Sequence, residues 1–508
     1  MGDAPFWHSI LPNLGTPEQF GQARELFTRC GFDYAGVCGR MGIEHLYRLT
    51  RTREDELAAQ EPGDALDALI RLFPLSRAMD RSAAAGILGE DGIECLEALR
   101  LLVPLPDKPG QVFAPVMVHP APSGSVLVCD RSLQPDGTKL ARPAPDALYP
   151  GLFYNTIDFV ARFPESPCET ILDLGTGTGT AAIAWARHAQ RVWATDISSR
   201  AVHFAEFNRR LAGLENISVV EGDMYEPVRG LTFDRIASHP PFVPARKSEI
   251  LFRDGGEDGE QLARRVIEGL PVFLRPGGLF WGSFMISDRA GESAEQRIRR
   301  WLGESQAEFD IGFGMDSRRT IVETLTGVIA DKTGTLDEVA YFSELWKDNG
   351  TEYLVHASMV IRRHAADAPP GEPITLRVQV GEGFNAGILE RLLDGKVAQA
   401  QPGYVESVLD SRLSITPLCE LRASHRLENG KAVTEEFTFI VEGPIRSASK
   451  VQGWMARMLV GCDGTRTVRQ HFEDIRVAGQ IPADADPGEF VRLVSGLAHV
   501  GLLRMDKV

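Results

Sequence analysis

The sequence predicts an α/β protein: a doubly wound, mostly parallel sheet with a helical module before it and an α+β module after it. Three observations carry this expectation. Short apolar runs at 170–172, 192–195, 217–220 and 233–237 each end in a polar or acidic residue. A glycine-rich turn, Gly175-Thr-Gly-Thr-Gly179, follows the first run and opens a helix near Thr180. A helical pattern over 200–211 separates the second run from the third, the alternation that builds parallel strands.

Taken in order, residues 1–148 read as a helical, winged-helix-like domain. Thr16 is a capping residue, Pro17 suits the first helical position and Glu18 follows. Helical patterns at 65–73, 82–88 and 92–102 precede two apolar runs, 111–118 and 125–129, expected to form a hairpin around 122–124. Three helices and a hairpin suggest nucleic-acid binding. The third helix and its approach, however, carry Glu90, Asp91, Glu94 and Glu97 against Arg100, the wrong sign for a phosphate-lined groove. A protein-packing or substrate-presenting role is favoured. Pro143 to Gly151 is a proline-rich hinge, and 152–163 reads as a helix on which Tyr154 or Asn155 could lie over a ligand.

The expected site gathers at the carboxyl ends of the strands, where open α/β sheets bind ligands. Asp173 stands two residues before Gly175, and Gly175, Gly177 and Gly179 let the backbone pass close to a ligand. A dinucleotide loop would read G-x-G-x-x-G, but its third glycine position holds Thr180. An acid beside the loop suits a cationic ligand without phosphates, such as a sulfonium bearing an amino group. Asp196, about 20 residues after the glycines, is placed to bind a ribose diol or to cap the helix over 200–211. Asp223 ends the third run, where it can accept from an adenine amino group. The fourth run enters Ser238-His239-Pro240-Pro241-Phe242. Each piece alone has a plain structural reading as a tight turn, a cap or a loop; their order and spacing favour one nucleoside site with a reaction centre beside it.

These motifs resemble class I methyltransferases of the small-domain type, including HemK-like enzymes that methylate a protein glutamine amide. Those enzymes carry D-x-G-x-G-x-G followed by N-P-P-Y or N-P-P-F. The resemblance implies a seven-stranded Rossmann-like sheet, S-adenosyl-L-methionine as cofactor, Asp173, Gly175, Gly177, Gly179, Asp196 and Asp223 as its contacts, and His239, Pro240 and Phe242 at the acceptor. In the relatives the Asn side chain and the next carbonyl accept from a planar nitrogen on which the aromatic ring stacks. This chain departs by having His239 in place of that Asn. Imidazole keeps one acceptor but loses the carboxamide geometry, and with a reference pKa near ~6.5 it could act as a general base. Residues 252–259 and 270–278 resemble the family's substrate-side loop and its approach to the fifth strand.

A fifth strand at 279–286, helices at 294–302 and 337–348, a turn at Asn349-Gly350 and a strand at 353–363 complete the expected sheet, giving a central domain of 149–366. Ala368-Pro-Pro-Gly371 marks the next boundary, and 367–508 is expected to be α+β. Within it, Glu428-Asn-Gly-Lys431 between the runs 418–427 and 432–441 is a hairpin signal. The tail over 462–503 reads as helix, loop, helix and short strand. It resembles winged modules of the PqqD type, some of which hold peptides by strand addition; a lid or dimerisation role reads equally well.

Composition sets bounds. At 508 residues, 43% hydrophobic and 24% charged, the chain has the make-up of a multidomain globular protein. Its 54 basic and 70 acidic residues give −16, which disfavours nucleic acid as partner. No apolar run approaches ~18 residues and the start lacks a basic segment with an apolar core, so the expectation is a cytoplasmic protein without membrane attachment. Seven dispersed cysteines without C-x-x-C spacing predict neither a disulfide framework nor a metal site. The sequence thus predicts methyl transfer to a nitrogen of a protein side chain, a peptide or a small metabolite, and leaves homo-oligomerisation open. The alternatives are a cofactor-binding regulatory or peptide-binding protein whose catalysis has lapsed, and an enzyme acting on nucleic-acid bases.

Overall fold

The computed structural model describes residues 5–134, 138, 143–148, 150–247, 249–330, 334–367 and 371–506. Tyr149 of the expected hinge and residues 368–370 of the second expected boundary lie outside the described residues. The chain divides into two compact units, Met1–Ile286 and Ser287–Val508. The finer division into 1–148, 149–366 and 367–508 is kept as a proposal about folding modules.

In the first unit, Thr16 caps the helix Pro17–Arg29 in a reciprocal box with Gln19. The helices Ala65–Leu72, Arg81–Leu88 and Glu90–Ala98 stand where three helical patterns were read. The third ends four residues early because the chain turns at Arg100, which adopts φ +53. Two further helices, Tyr34–Met41 and Arg51–Ala58, were not anticipated; each is only eight residues long and starts at a side-chain cap, Asp33 or Thr50. The hairpin needs a correction. The run 111–118 is broken: Lys108–Phe113 pairs back with Val103–Leu105, and Val116–Pro120 pairs with Val126–Asp130. Pro115 lies at the break, where it supplies no N–H and restricts Ala114. The acidic character of the third helix is partly offset by Arg81, which reaches Glu97 at 2.8 Å and Glu90 at 2.7 Å.

The same unit holds five parallel strands in the order Leu274–Arg289, whose last three residues fall in the second unit, Phe233–Ser238, Cys168–Leu174, Ala189–Asp196, Ile217–Glu221. Sequence order reverses beside Cys168–Leu174, so the switch point of the sheet lies between that strand and Phe233–Ser238. The helix Ser199–Ala212 packs its Ala201, Phe204, Phe207 and Leu211 into one core with the N-terminal helices. A buried ion pair joins the two parts: Asp130 accepts from Arg200 Nε at 2.9 Å and from Leu148 N at 2.8 Å. Both side chains are about nine-tenths buried. Removing one partner strands the other charge, so Asp130→Ala is expected to lower stability by about 3–5 kcal/mol, measured by urea unfolding followed by circular dichroism.

In the second unit, Phe309–Thr320 pairs antiparallel with Thr351–Arg363, and Leu336–Asp348 is helical. Phe309–Thr320 also pairs in parallel with Thr375–Val380, which pairs antiparallel with Ile445–Val451, so the sheet does not stop at the seven strands expected of it. Phe309–Thr320 escaped the sequence reading because Asp310, Gly312, Gly314, Asp316 and Ser317 dilute its apolar period. The strands Cys419–Glu428 and Lys431–Glu442 form the expected hairpin, with Asn429 at φ +49 and Gly430 at φ +76 making the tight turn. The tail differs from expectation at its start. Residues Asp463–Thr467 are a strand, paired with Arg412–Ile415, which also pairs with Leu503–Asp506. The helix begins only at Val468, because Thr467 and Gln470 form a capping box there. The helix Pro487–His499 and the final short strand follow as read.

All seven cysteines are free. Among the described residues, no helix is long and apolar enough to cross a membrane and no cluster of three or more metal-ligating side chains occurs.

Candidate functional site

The strand Cys168–Leu174 delivers Asp173, buried, to the start of the glycine loop. Gly175, Gly177 and Gly179 take φ values of +77, +56 and +78, so the turn needs left-handed backbone at three alternate positions. At Gly179 the positive φ disfavours a side chain, and a Cβ would also press on Cα of Ala205 at 3.2 Å. The helix Thr180–Trp185 then starts directly beneath the loop. Asp173 Oδ2 accepts from Thr176 Oγ1 at 2.6 Å and from Ala182 N at 3.1 Å. Burial, with Asp196 nearby as a smaller contribution, pushes its carboxyl up to about 6.

Asp196 ends the neighbouring strand and closes the loop from the other side. Its Oδ2 accepts from Gly177 N at 2.9 Å and its Oδ1 from Ser198 N at 2.9 Å. Burial raises its carboxyl as well, opposed by these backbone donors. The capping alternative for Asp196 falls to Ser198, whose side chain accepts from Ala201 N. Two raised carboxylates around a glycine loop gain from a cationic ligand that restores their charge. Ile197 lies between the acid and the cap with 59% of its surface exposed, an apolar face at the strand end. The sequence reading passed over it; a large apolar residue directly after a strand-terminal acid was the available signal. Asp223 differs from the other acids. It is partly exposed and pairs with Arg265 at 2.7 Å, so a ligand there would share it with a guanidinium.

On the other side of the switch point, Ser238 donates to Leu174 O at 2.8 Å, tying the fourth strand end to the first. His239 follows, its ring centroid 5.4 Å from Phe159 and 6.1 Å from Phe242, the latter edge-on at 88°. Phe159 belongs to the helix Tyr154–Ala161, and its carbonyl accepts from Trp281 Nε1 at 3.1 Å. The imidazole is thereby held by rings from two elements, one of which the sequence reading had placed only as a nearby helix. Tyr154 on that helix is half-exposed and meets Tyr47 edge-on at 5.7 Å. Pro240 is buried and Phe242 half-buried.

The loop 252–259 folds back on this motif. Val243 N donates to Arg253 O at 3.0 Å and Gly255 N to Val243 O at 2.8 Å. A Cβ at Gly255 would sit 2.6 Å from Pro241 O and 2.7 Å from Phe242 Cα, so glycine is required for backbone to lie on backbone. Buried Asp254 fixes the loop by accepting from Glu249 N at 2.7 Å and Ile250 N at 2.9 Å. Asp173, the glycines, Asp196 and His239 therefore occupy adjacent strand ends about one switch point. A cavity of about 200 Å³ lies elsewhere, along the helix Thr180–Trp185, lined by Ala121, Pro122, Ile157, Val160, Phe163 and Trp185, and neither His239 nor the three site carboxylates line it.

Residues 155–304 match the model of the methyltransferase small domain. The release factor glutamine methyltransferase of Moorella thermoacetica is 39% identical over 128 residues, which cover 22% of this chain and 45% of that protein. A putative protein N5-glutamine methyltransferase of Methanocaldococcus jannaschii is 37% identical over 116 residues, 22% of this chain and 58% of its own length. The chain thus spans about half the length of the curated relatives it matches. Among solved structures, the ribosomal protein L11 methylase of Lactobacillus delbrueckii subsp. bulgaricus is 20% identical, covering 41% of this chain and 77% of that one at a TM-score of 0.24.

Proposed function

We propose that this chain, whose residues 155–304 match the model of the methyltransferase small domain, transfers a methyl group from S-adenosylmethionine to a side-chain nitrogen of a protein. The observation that carries this reading is the pairing of a glycine loop clamped by Asp173 and Asp196 with an aromatic-flanked His239 one strand away.

Asp173, Gly175, Gly177, Gly179 and Asp196 fit the cofactor. Buried Asp173 and half-buried Asp196, both with raised pKa, offer negative charge to a sulfonium and an amino group. Asp196 is also placed for a ribose diol, with Ile197 as an apolar face for the base and Asp223, shared with Arg265, at the base's edge. When bound, the cofactor supplies an electrophilic methyl on a sulfonium, which leaves as a neutral thioether. His239 orients the acceptor by taking a hydrogen bond from its N–H, and Phe242 covers the acceptor plane. As the N–CH3 bond forms and the S–CH3 bond breaks, the nitrogen must shed one proton, and the His239 imidazole can take it or pass it to water. The relatives named for protein glutamine support a protein acceptor. The acidic N-terminal helix and the net charge of −16 fit a protein rather than a polyanion.

The test is transfer of labelled methyl from S-adenosylmethionine into an extract, with and without protease digestion of the product. Label in protein that becomes soluble on digestion is expected. Absence of labelled protein with the wild-type chain, while the cofactor binds, would sink the reading.

A further inference from the structure

The helix Ser199–Ala212 faces two ways, and one fully buried polar residue, Asn208, uses both. Its side chain acts as a substitute strand edge for the hairpin of the N-terminal region. Oδ1 accepts from Val128 N at 2.8 Å, and Nδ2 donates to Val128 O at 2.9 Å. The same Nδ2 donates to Thr178 O at 2.9 Å, inside the glycine loop. One turn earlier Ala205 lies against Gly179. The loop's most constrained stretch, 178–179, is therefore seated on this helix, and the helix is fixed by residues 1–148. Arg200 at its start pairs with Asp130 at the hairpin's end, His203 bonds Pro12 O at 2.7 Å, Phe20 meets Phe207 edge-on at 5.0 Å, and Arg24 caps Arg210 O at 3.0 Å.

We propose that Asn208 is a positioning residue for the cofactor loop, and that through it the N-terminal hairpin is a working part of the cofactor site rather than an appended module. The physical argument is satisfaction. The buried carboxamide satisfies Val128 N, Val128 O and Thr178 O together; alanine leaves all three without it and a carboxylate cannot donate to the two carbonyls, and an unpaired buried backbone group is costly. Asn208 holds Thr178 O and is itself held by Val128, so this end of the loop leans on the hairpin in addition to the bonds it has from Asp173 and Asp196. A carboxylate at this position would face two carbonyl oxygens and push the loop off its seat. The inference rests on the reading of the loop as an S-adenosylmethionine site, but the geometry of the strut does not.

The experiment compares Asn208→Ala and Asn208→Asp with Phe20→Leu, which loosens the same helix without touching the loop. Two quantities are read on the full chain: S-adenosylmethionine affinity by calorimetry, and amide hydrogen exchange at 175–179 without cofactor. Loss of one buried hydrogen bond held in the loop should weaken binding on the order of tenfold. Faster exchange at 175–179 is expected in both Asn208 variants, with Phe20→Leu within about twofold of wild type in affinity at a comparable loss of melting temperature. Unchanged exchange in the Asn208 variants overturns the proposal, and so does an equal loss of affinity in Phe20→Leu, which would make the effect one of general stability. If Asn208→Asp does not fold, Asn208→Ser carries the same comparison. Should wild type bind no cofactor, the functional reading fails while the exchange measurement still decides the strut.

Discussion

Replacing Asp173 with asparagine should weaken S-adenosylmethionine binding on the order of 100-fold at pH 8 and make it independent of pH between 5 and 8. The carboxylate is asked to do two things. It accepts from Thr176 Oγ1 and Ala182 N, which shapes the loop, and it presents buried negative charge to a cation. Asparagine preserves the shape but forfeits the charge. Burial holds the carboxyl up at about 6 in the free protein, so the fold favours its protonated form. Stability from this group is therefore present below the ordinary carboxylate range and lost as pH rises through about 6. A bound cation reverses the preference, because it binds the carboxylate form. Wild-type affinity should be level above about pH 6 and fall below it, by at most about tenfold per pH unit for one proton. Calorimetry across this range decides the matter. Binding that still varies with pH in the Asp173→Asn variant would assign the titration to another group, with Asp196 next in line because burial raises it as well.

Legibility of the fold followed the strength of local signals. The loop at 175–179 and the turn at Asn429-Gly430 were readable because left-handed backbone selects glycine and asparagine at particular positions. The parallel strands of the first unit were readable as short apolar runs, with the central two buried on both faces over 171–174 and 235–238. What failed was competition between neighbours. Pro115 divides one apparent strand between two partners, and nothing local says which half pairs where. Phe309–Thr320 gains its strand conformation from pairing with Thr351–Arg363, with a glycine- and aspartate-rich sequence that argues against it. In the site, Asp173, Asp196 and His239 were legible by spacing, whereas Phe159, Trp281 and Asn208 were not. Phe159 meets His239 and Asn208 meets Val128 at separations of 80 residues, Asn208 meets Thr178 at 30, and Trp281 meets Phe159 at 122. Arg265 on Asp223 is a further case, an exposed partner that no motif would flag.

His239→Ala should leave cofactor affinity within about twofold of wild type and lower methyl transfer by roughly 10²- to 10⁴-fold, the span of a lost acid–base or acceptor-orienting group. The separation of effects follows from position. His239 lies across the switch point from the glycine loop and is held by Phe159 and Phe242, whereas the loop is held by Asp173, Asp196 and the helix beneath it. Alanine leaves a space between two rings, while the bonds from Asp173 and Asp196 that hold the loop stay in place. His239→Asn then asks which of imidazole's two capacities matters. Asparagine restores an acceptor for the incoming N–H and the pattern carried by the HemK-like enzymes, but it cannot take a proton. Recovery of most of the rate would assign orientation to the side chain. Failure of asparagine to recover it, with loss of the acidic limb of the wild-type pH profile, would assign proton removal. The profile has to be measured at saturating cofactor, so that the titration of Asp173 drops out of the rate. If His239→Ala transfers as fast as wild type, the acceptor does not meet the chain at 239–242, and the strand end that carries His239 serves only to close the sheet.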